Sequence, residues 1–504
     1  MRCTAERNNT GGGAVLGLSA IGKQDTYFLS DNPEHSFFHY KNKRHTKFIK
    51  KYNYHTVENP KFNYEDAKLQ TRFTEVGGTS NVITKEVVNV DINALCWPFD
   101  QSVDFLINPK TSGDLCSNMY LKFRVNGEKN PNPFHDLPNQ GNQYITPNAG
   151  RSMIKSVEML INGESIEKLD SEWYTMRDEL YNNQDETTSA QSLLNAGTPL
   201  EMFNRLAIDH VIGTNYYIPL DLFFCRKKED TVDEIRPYFP LCALYNQQIT
   251  IRVTFQPTTY FCANPYFPYL PNITLVTEEY MVTPEEREYI KKHHYKIPIN
   301  VVEPQPQHSI PAGTENTKME LVANYPLKAI HWIIRQKPFI DNNHLVGGPW
   351  TSWLRRNSTM SVPTPYNSMQ YLQTQYVNEN NYPNMYNATL YINGVEYKNY
   401  LATNNNTSIY PSYYYKYIQN ITHGLPSPYR NIYTISFTQD IETQIPEGVV
   451  DFSQITQGNA ILSLTALQNK NVQANDLIVN MYFNGFKTLE IKDGFSQILN
   501  TRSF

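Results

Sequence analysis

Residues 36–48, "SFFHYKNKRHTKF", mix cations and aromatic rings densely. Such a mixture can grip a polyanion, with Lys and Arg neutralising phosphates and rings stacking on bases. The same stretch can equally be one half-buried strand with a charged outer face, and the residues alone leave both readings open. Other candidates for chemistry are weaker. His293 and His294 are adjacent, so on a helix they point to different faces and do not form a ligand pair. Residues 10–17, "TGGGAVLG", are Gly-rich, but no strand-then-helix pattern follows, so a flexible arm is expected rather than a phosphate cradle. The six cysteines, Cys3, Cys96, Cys116, Cys225, Cys242 and Cys262, contain no CxxC spacing. Free thiols in a reducing compartment are expected, not a metal cluster or disulfide scaffold. HExxH, GxSxG and GxxxxGK[ST] are absent, and no constellation isolates a general acid and base. The residues thus predict no enzyme, no cofactor and no metal. The charged cluster 227–230 reads as a solvated turn between buried strands.

Whatever these residues do, the elements that carry them are β-rich. The chain has 504 residues, too many for one ordinary core, so two or more domains are expected. Its 36 Tyr and 24 Phe suit pleated, half-buried surfaces, and 31 Pro with 23 Gly punctuate many turns. A net charge of -5 argues against a protein that coats a polyanion by itself. The apolar run 14–21 lacks the form of a signal peptide. No stretch approaches the roughly 18 apolar residues that span a bilayer, so a soluble chain is expected. Sequons at Asn272, Asn357, Asn387 and Asn420 read as chance matches in an Asn-rich chain.

Strand signals recur. Residues 121–127, "LKFRVNG", alternate and then stop at Asn-Gly; 157–169 read as a hairpin around Asn162 and Gly163. Ile249, Ile251, Val253 and Phe255 share one face of a strand. Further short strands are expected at 389–397, 432–438, 460–467 and 477–483, a pattern of sandwiches or barrels. One helix is well signalled at 282–295. Thr283 is its N-cap, Pro284 its N1 residue, and Glu286 completes a capping box. Pro298, Pro304, Pro306 and Pro311 then predict a Pro-rich crossing at 296–313, where a domain boundary would fall. "MLINGESIE" (159–167) and "LYINGVEYK" (390–398) echo one another. Asn-Gly is common in hairpins, so the echo alone does not establish two related halves. Long loops at 126–150 and 341–384 are expected to contact partners.

Five blocks in order make the chain resemble the double jelly-roll major capsid proteins of nucleocytoplasmic large DNA viruses. The first is 20–48, whose family signature falls on Gly22, Gln24, Asp25, Asn32, Pro33, Glu34, Phe37, Phe38, Arg44, His45, Thr46 and Phe48. The second joins "IPLDLFFCR" with "FPLCALYNQQITIRVTF"; the third is "EEYMVTPEEREYIKKHHY". The fourth, 423–455, carries Pro446, Gly448 and Phe452, and the last is 477–498. Asn42, His35, Ile445 and Glu447 depart from the family pattern, which marks a divergent member.

The resemblance implies an all-β fold: two consecutive eight-stranded antiparallel jelly-roll sandwiches with a short helix between them. It implies an N-terminal arm at 1–23, a first jelly roll at 24–283, a connecting helix at 284–295 and a second jelly roll at 296–504. It further implies homotrimers of pseudo-hexagonal outline that tile an icosahedral shell in the virion, assembled in host cytoplasm. Neighbouring capsomers and minor capsid proteins are the implied partners, with the inner viral membrane reached through the arm. Residues 36–48 then become the first strand of the first jelly roll, and no direct nucleic-acid contact is expected, since no broad basic field exists. The alternatives are a minor capsid or vertex paralogue with the same fold, or a carbohydrate-binding jelly-roll protein.

Overall fold

A computed structural model describes residues 19–20, 46–53, 74–75, 101–127, 149–182, 214–226, 238–256, 268–269, 273–314, 316–337, 385–399, 412–428, 431–442, 448–466 and 476–499. The strands are β1 (Ser19–Ala20), β2 (Thr46–Asn53), β3 (Thr74–Glu75), β4 (Ser102–Ile107), β5 (Leu115–Gly127), β6 (Ile154–Ile161), β7 (Glu164–Asp170), β8 (Thr214–Pro219), β9 (Ile249–Phe255), β10 (Pro268–Tyr269) and β11 (Ile273–Met281). There follow β12 (Tyr295–Pro304), β13 (His308–Ile310), β14 (Asn316–Glu320), β15 (Pro326–Gln336), β16 (Met385–Ile392), β17 (Val395–Asn399), β18 (Ile432–Ser436), β19 (Val449–Asp451), β20 (Ala460–Ala466), β21 (Leu477–Lys492) and β22 (Phe495–Leu499). Helices α1 (Ala149–Ser152), α2 (Ser171–Leu180), α3 (Pro284–Lys292) and α4 (Gln419–Thr422) complete the set used below.

Every pairing is antiparallel, and the sheets fall into two matching pairs. In the first lobe a sheet of order β4-β9-β6-β7 packs on one of order β8-β5-β11-β2. In the second, β14-β20-β16-β17 packs on β18-β15-β21-β12. This is the strand order of a jelly roll, made twice. Shorter strands extend the larger sheets: β3 and β10 in the first lobe, β13, β19 and β22 in the second. β1 joins the second-lobe sheet, its Ser19 and Ala20 pairing with Val450 and Val449. Period-two burial builds the sandwiches. Along β9 and β20 alternate residues are buried, and Phe123 of β5 meets Phe255 of β9 edge-on across the first sandwich, centroids 6.2 Å apart. One buried apolar cluster runs through both lobes.

The echo between the halves is structural. Asn162–Gly163 and Asn393–Gly394 turn β6 into β7 and β16 into β17, the same hairpin in each lobe. Both residues of each turn have positive φ, 51° and 86° in the first, 52° and 77° in the second, which a two-residue type I′ turn requires. The strand expected to stop at 126–127 ends there: β5 reaches Gly127, with Asn126 and Gly127 paired to Tyr269 and Pro268. At Asn484–Gly485 the chain does not turn, and β21 runs past the expected end at 483 to Lys492. Gly485 lies inside it, where a Cβ would stand 2.3 Å from Pro326 O and 2.8 Å from the Tyr325 ring. The glycine there admits a close backbone rather than a turn.

The capped helix forms as expected. Thr283 accepts from Glu286 N at 3.4 Å, Pro284 opens α3, and Lys291 and Lys292 close it. The Pro-rich crossing does not. Its first half is β12, a strand of the second sandwich. Pro298 is tolerated because β12 ends the sheet path, with β21 on one side only. Val302 N and Asn300 O bond groups away from β21, and Pro298 is in phase with them, so its missing N–H removes no ladder bond.

Candidate functional site: the junction between the lobes

Where the lobes meet, buried polar side chains gather in two clusters beside a clasp. The first cluster meets the open edge of β12. Glu167, on β7, is buried, and its carboxylate takes Val302 N at 3.1 Å, Phe223 N at 2.8 Å and Arg226 Nη2 at 2.5 Å. Arg226 also donates to Asn300 O and reaches Asp221 at 3.4 Å. An unpaired strand edge is a liability; here one donor and one acceptor of that edge are answered by a glutamate and an arginine from the other lobe. Arg177 of α2 extends the cluster to Asp221 at 3.0 Å. Arg151 of α1 holds Asp178 through two nitrogens, at 2.9 and 3.0 Å, and donates to Pro219 O at 2.7 Å. Burial raises the Glu167 carboxyl, opposed by Arg226 and the Val302 N–H. Burial pulls Arg226 down, but Glu167 and Asp221 outweigh it, so the guanidinium stays charged.

The second cluster lies between α2 and the outer face of the second-lobe sheet. Asp170 ends β7 and caps α2, accepting from Trp173 N at 2.8 Å. Its oxygens also accept from Tyr482 OH of β21, at 2.9 and 3.0 Å, so the cap is itself a bond between lobes. Glu172 pairs with Arg335 of β15 and accepts from Asn480 of β21. Burial raises Asp170, and burial lowers Arg335 to about 10. The Trp173 ring lies 5.7 Å from His331 and 5.6 Å from Tyr482. His331 is fully buried, with Nδ1 3.0 Å from Thr434 Oγ1 and Nε2 3.3 Å from Tyr181 OH. Burial first, then Lys328, lowers it to about 3, so the ring is neutral. Asn484 donates to Tyr181 OH at 3.1 Å.

The clasp is local. Gln247 Oε1 accepts from Ser496 N and Oγ at 2.7 and 2.9 Å, and Asn246 donates to Asp493 O at 3.0 Å. Gly494 has φ +84°, and a Cβ on it would meet Asn246 and the Tyr245 ring at 2.8 Å. On the first-lobe side, Arg287 of α3 holds Asp114 at 2.5 and 3.1 Å, tying α3 to the residue that precedes β5.

This arrangement is suited to fixing one orientation, not to turning over a substrate. Its acids and bases are consumed by each other and by backbone groups. Burial pushes the Cys116 and Cys225 thiols up, and Cys242 up to about 12, which leaves weak nucleophiles. Among the described residues no three His, Cys, Asp or Glu side chains converge as a metal site, and no helix is long and apolar enough to cross a membrane. A groove of about 340 Å³ between 321–324 and 452–457 has no charged lining residue. His293 stacks on Tyr289 at 5.1 Å while His294 reaches Glu490 at 2.6 Å, so the two imidazoles part. Asn420 is buried and donates to Lys416 O at 2.7 Å, which removes that sequon from glycosylation in the folded chain.

Of the signature residues, Gly22, Gln24, Asp25, Asn32, Pro33, Glu34, Phe37, Phe38, Arg44, His45 and Pro446 lie outside the described residues, as do most of the long loops and the cluster 227–230. Thr46 and Phe48 fall on β2, opposite Met281 and Glu279. A Cβ on Gly448 would press on Phe437 O at 3.1 Å and Thr438 Cα at 3.3 Å. Phe452 is buried, its ring 6.2 Å from Phe437 and 6.3 Å from Phe483. None of these joins the two clusters. The residues that do, Glu167, Glu172, Arg226, His331 and Arg335, escaped sequence reasoning. Their one local signal is charge set inside apolar runs, as in "LDLFFCR" and "AIHWIIRQ".

Comparison with known proteins agrees with this geometry. The family described as "Major capsid protein N-terminus" matches residues 98–290, and "Large eukaryotic DNA virus major capsid protein" matches 286–492. No curated protein matches the sequence. Among solved structures, PBCV-1 VP54 is 16% identical with a TM-score of 0.59, over 80% of this chain and 93% of that one. The Faustovirus major capsid protein is 12% identical with a TM-score of 0.56, over 97% and 95%. At these identities the structures speak for the fold, which is the double jelly roll.

Proposed function

The chain belongs to the major capsid proteins of large eukaryotic DNA viruses, and from that membership we propose that three copies form a capsomer of pseudo-hexagonal outline that tiles an icosahedral shell. As a capsid protein its place is the virion, and its work is structural. The observation that carries the proposal is the duplication itself. Two lobes with one strand order, locked by buried ion pairs, present six like lobes when three chains close about an axis. Shell assembly then needs side-to-side contact, not chemistry. The boundaries proposed are an arm at 1–23, a first jelly roll at 24–283, a connecting helix at 284–295 and a second jelly roll at 296–504; the two family matches meet at 286–290, inside α3. Assembly in host cytoplasm, lateral contact with neighbouring capsomers, and contact of the arm with minor capsid proteins or the inner viral membrane belong to the same proposal. Electron microscopy of the purified protein tests it. Six-lobed particles are expected, and a field of separate two-lobed particles would contradict it.

A further inference from the structure

Inside the chain, the helix after the second strand of the first-lobe hairpin covers the outer face of the second-lobe sheet. That contact is Trp173, Glu172 and Tyr181 of the α2 segment on His331, Arg335 and Tyr482 of β15 and β21. The second lobe makes a helical segment at the same place in its own order. After β17 comes 412–422, a π-helical turn (Tyr414–Ile418) running into α4. Its inner side is seated: Tyr415 donates to Ala388 O at 2.5 Å, and Gln419 accepts from Ser436 N at 3.0 Å. Its outer side is apolar and open. Ile418 and Ile421 are 48% and 61% exposed, beside Tyr413 and Tyr417, whose rings are 5.6 Å apart.

The sheet face that matches the covered one is only half-buried. On the first lobe, β5 turns Leu121 and Phe123 into the core, so Asn118, Tyr120 and Lys122 point outward. These are half-buried, as are Tyr217 of β8 and Glu278 of β11. Tyr120 and Tyr217 have centroids 6.2 Å apart, Lys122 lies over Tyr217 at 5.4 Å, and Asn118 donates to Glu278 at 2.8 Å. Two tyrosines inside a polar rim have the anatomy of an interface. One lobe thus has a helical segment whose two isoleucines stand exposed, and the other has a sheet face whose tyrosines stay half-buried.

We propose that residues 412–422 of one copy dock on this first-lobe face of the next copy, repeating between chains the contact that α2 makes within one. The inference rests on the trimer reading and names its surfaces. The two patches differ, so the contact is head-to-tail and must close as a ring or grow as a filament. With the in-chain contact as its near-equivalent, three chains place six such contacts around one axis. A self-complementary dimer would use one patch twice, which this geometry does not offer.

The test uses the full chain. Ile421→Cys and Tyr217→Cys are combined in one protein and treated with a short bis-maleimide, with each single variant as the background control. The double variant should give a ladder ending at three chains, and neither single variant should. In parallel, Ile421→Asp should weaken assembly at least tenfold by light scattering, while Tyr289→Asp, on the exposed side of α3, should leave the mass unchanged. Wild-type trimers that persist in Ile421→Asp, with no ladder from the double variant, would overturn this interface and leave the trimer standing. A wild-type protein that stays a single chain would overturn both.

Discussion

The two lobes share a plan and differ in what covers them. Their hairpins are near copies, with Asn-Gly turns of almost equal φ at 162–163 and 393–394. Their helices are not. In the first lobe α2 buries Trp173, Tyr174 and Met176 and spends Glu172 on the neighbouring sheet. In the second, 412–422 leaves Ile418 and Ile421 in solvent. The covered sheet face carries fully buried Arg335 and His331, while the matching open face carries half-buried Tyr120, Lys122 and Tyr217. A buried ion is tolerated only where the partner is permanent, because its desolvation must be answered at every moment. A face that meets its cover only on assembly stays soluble beforehand with tyrosines and screened charges. Permanent and assembly-dependent contacts are thus told apart by their chemistry.

Removing one partner of the permanent contact should have the largest effect. Arg226→Ala strands Glu167 against the β12 edge and should cost about 3–5 kcal/mol in denaturant unfolding. A loss below 1 kcal/mol would mean that the junction does not depend on that pair. Next comes Gly485→Ala, where the intruding Cβ meets a backbone oxygen and a buried ring. It should lower stability by about 1–3 kcal/mol as overpacking does, visible as a depressed Tm. An unchanged Tm would show that Tyr325 and Pro326 can yield.

The third prediction concerns acid. His331 is held at about 3, below its ordinary value near 6.5, so between those limits the unfolded chain binds the extra proton. Stability must therefore fall as pH drops through that window, by at most about 1.4 kcal/mol per pH unit. Glu167 and Asp170, raised by burial, act with the opposite sign, since the folded state holds their protons more tightly. The contribution of His331 is then read as a difference: His331→Gln should unfold with a shallower dependence between pH 6.5 and 5. Equal slopes would remove the imidazole from the account. The smallest effect belongs to a surface pair. Arg252 grips Asp104 at 2.8 and 2.9 Å across β4 and β9 with its side chain 41% exposed. Arg252→Ala should cost about 0–1 kcal/mol, and a loss as large as that of Arg226→Ala would erase the distinction between buried and exposed pairs.

What could be read from the sequence was local. The N-cap at Thr283, the turn at 162–163 and the alternation of β9 need only neighbouring residues, and each formed where expected. Asn-Gly marked turns where the next strand could return at once; at 484–485 distant partners took the chain straight on. Pro298 concealed β12 because its harmlessness depends on being at an edge, which a sequence does not reveal. The junction was hidden for a similar reason. Glu167 and Val302, or Glu172 and Asn480, are far apart in the chain, and a lone charge in an apolar run does not say which lobe will answer it.

The most direct measurement is the mass of the purified, full-length protein in solution by multi-angle light scattering. A chain of 58.4 kDa that closes three copies about one axis should give a stable species near 175 kDa. A single folded species at the mass of one chain, unchanged as concentration rises, would contradict the account, because its two open surfaces would then have no cover to explain them.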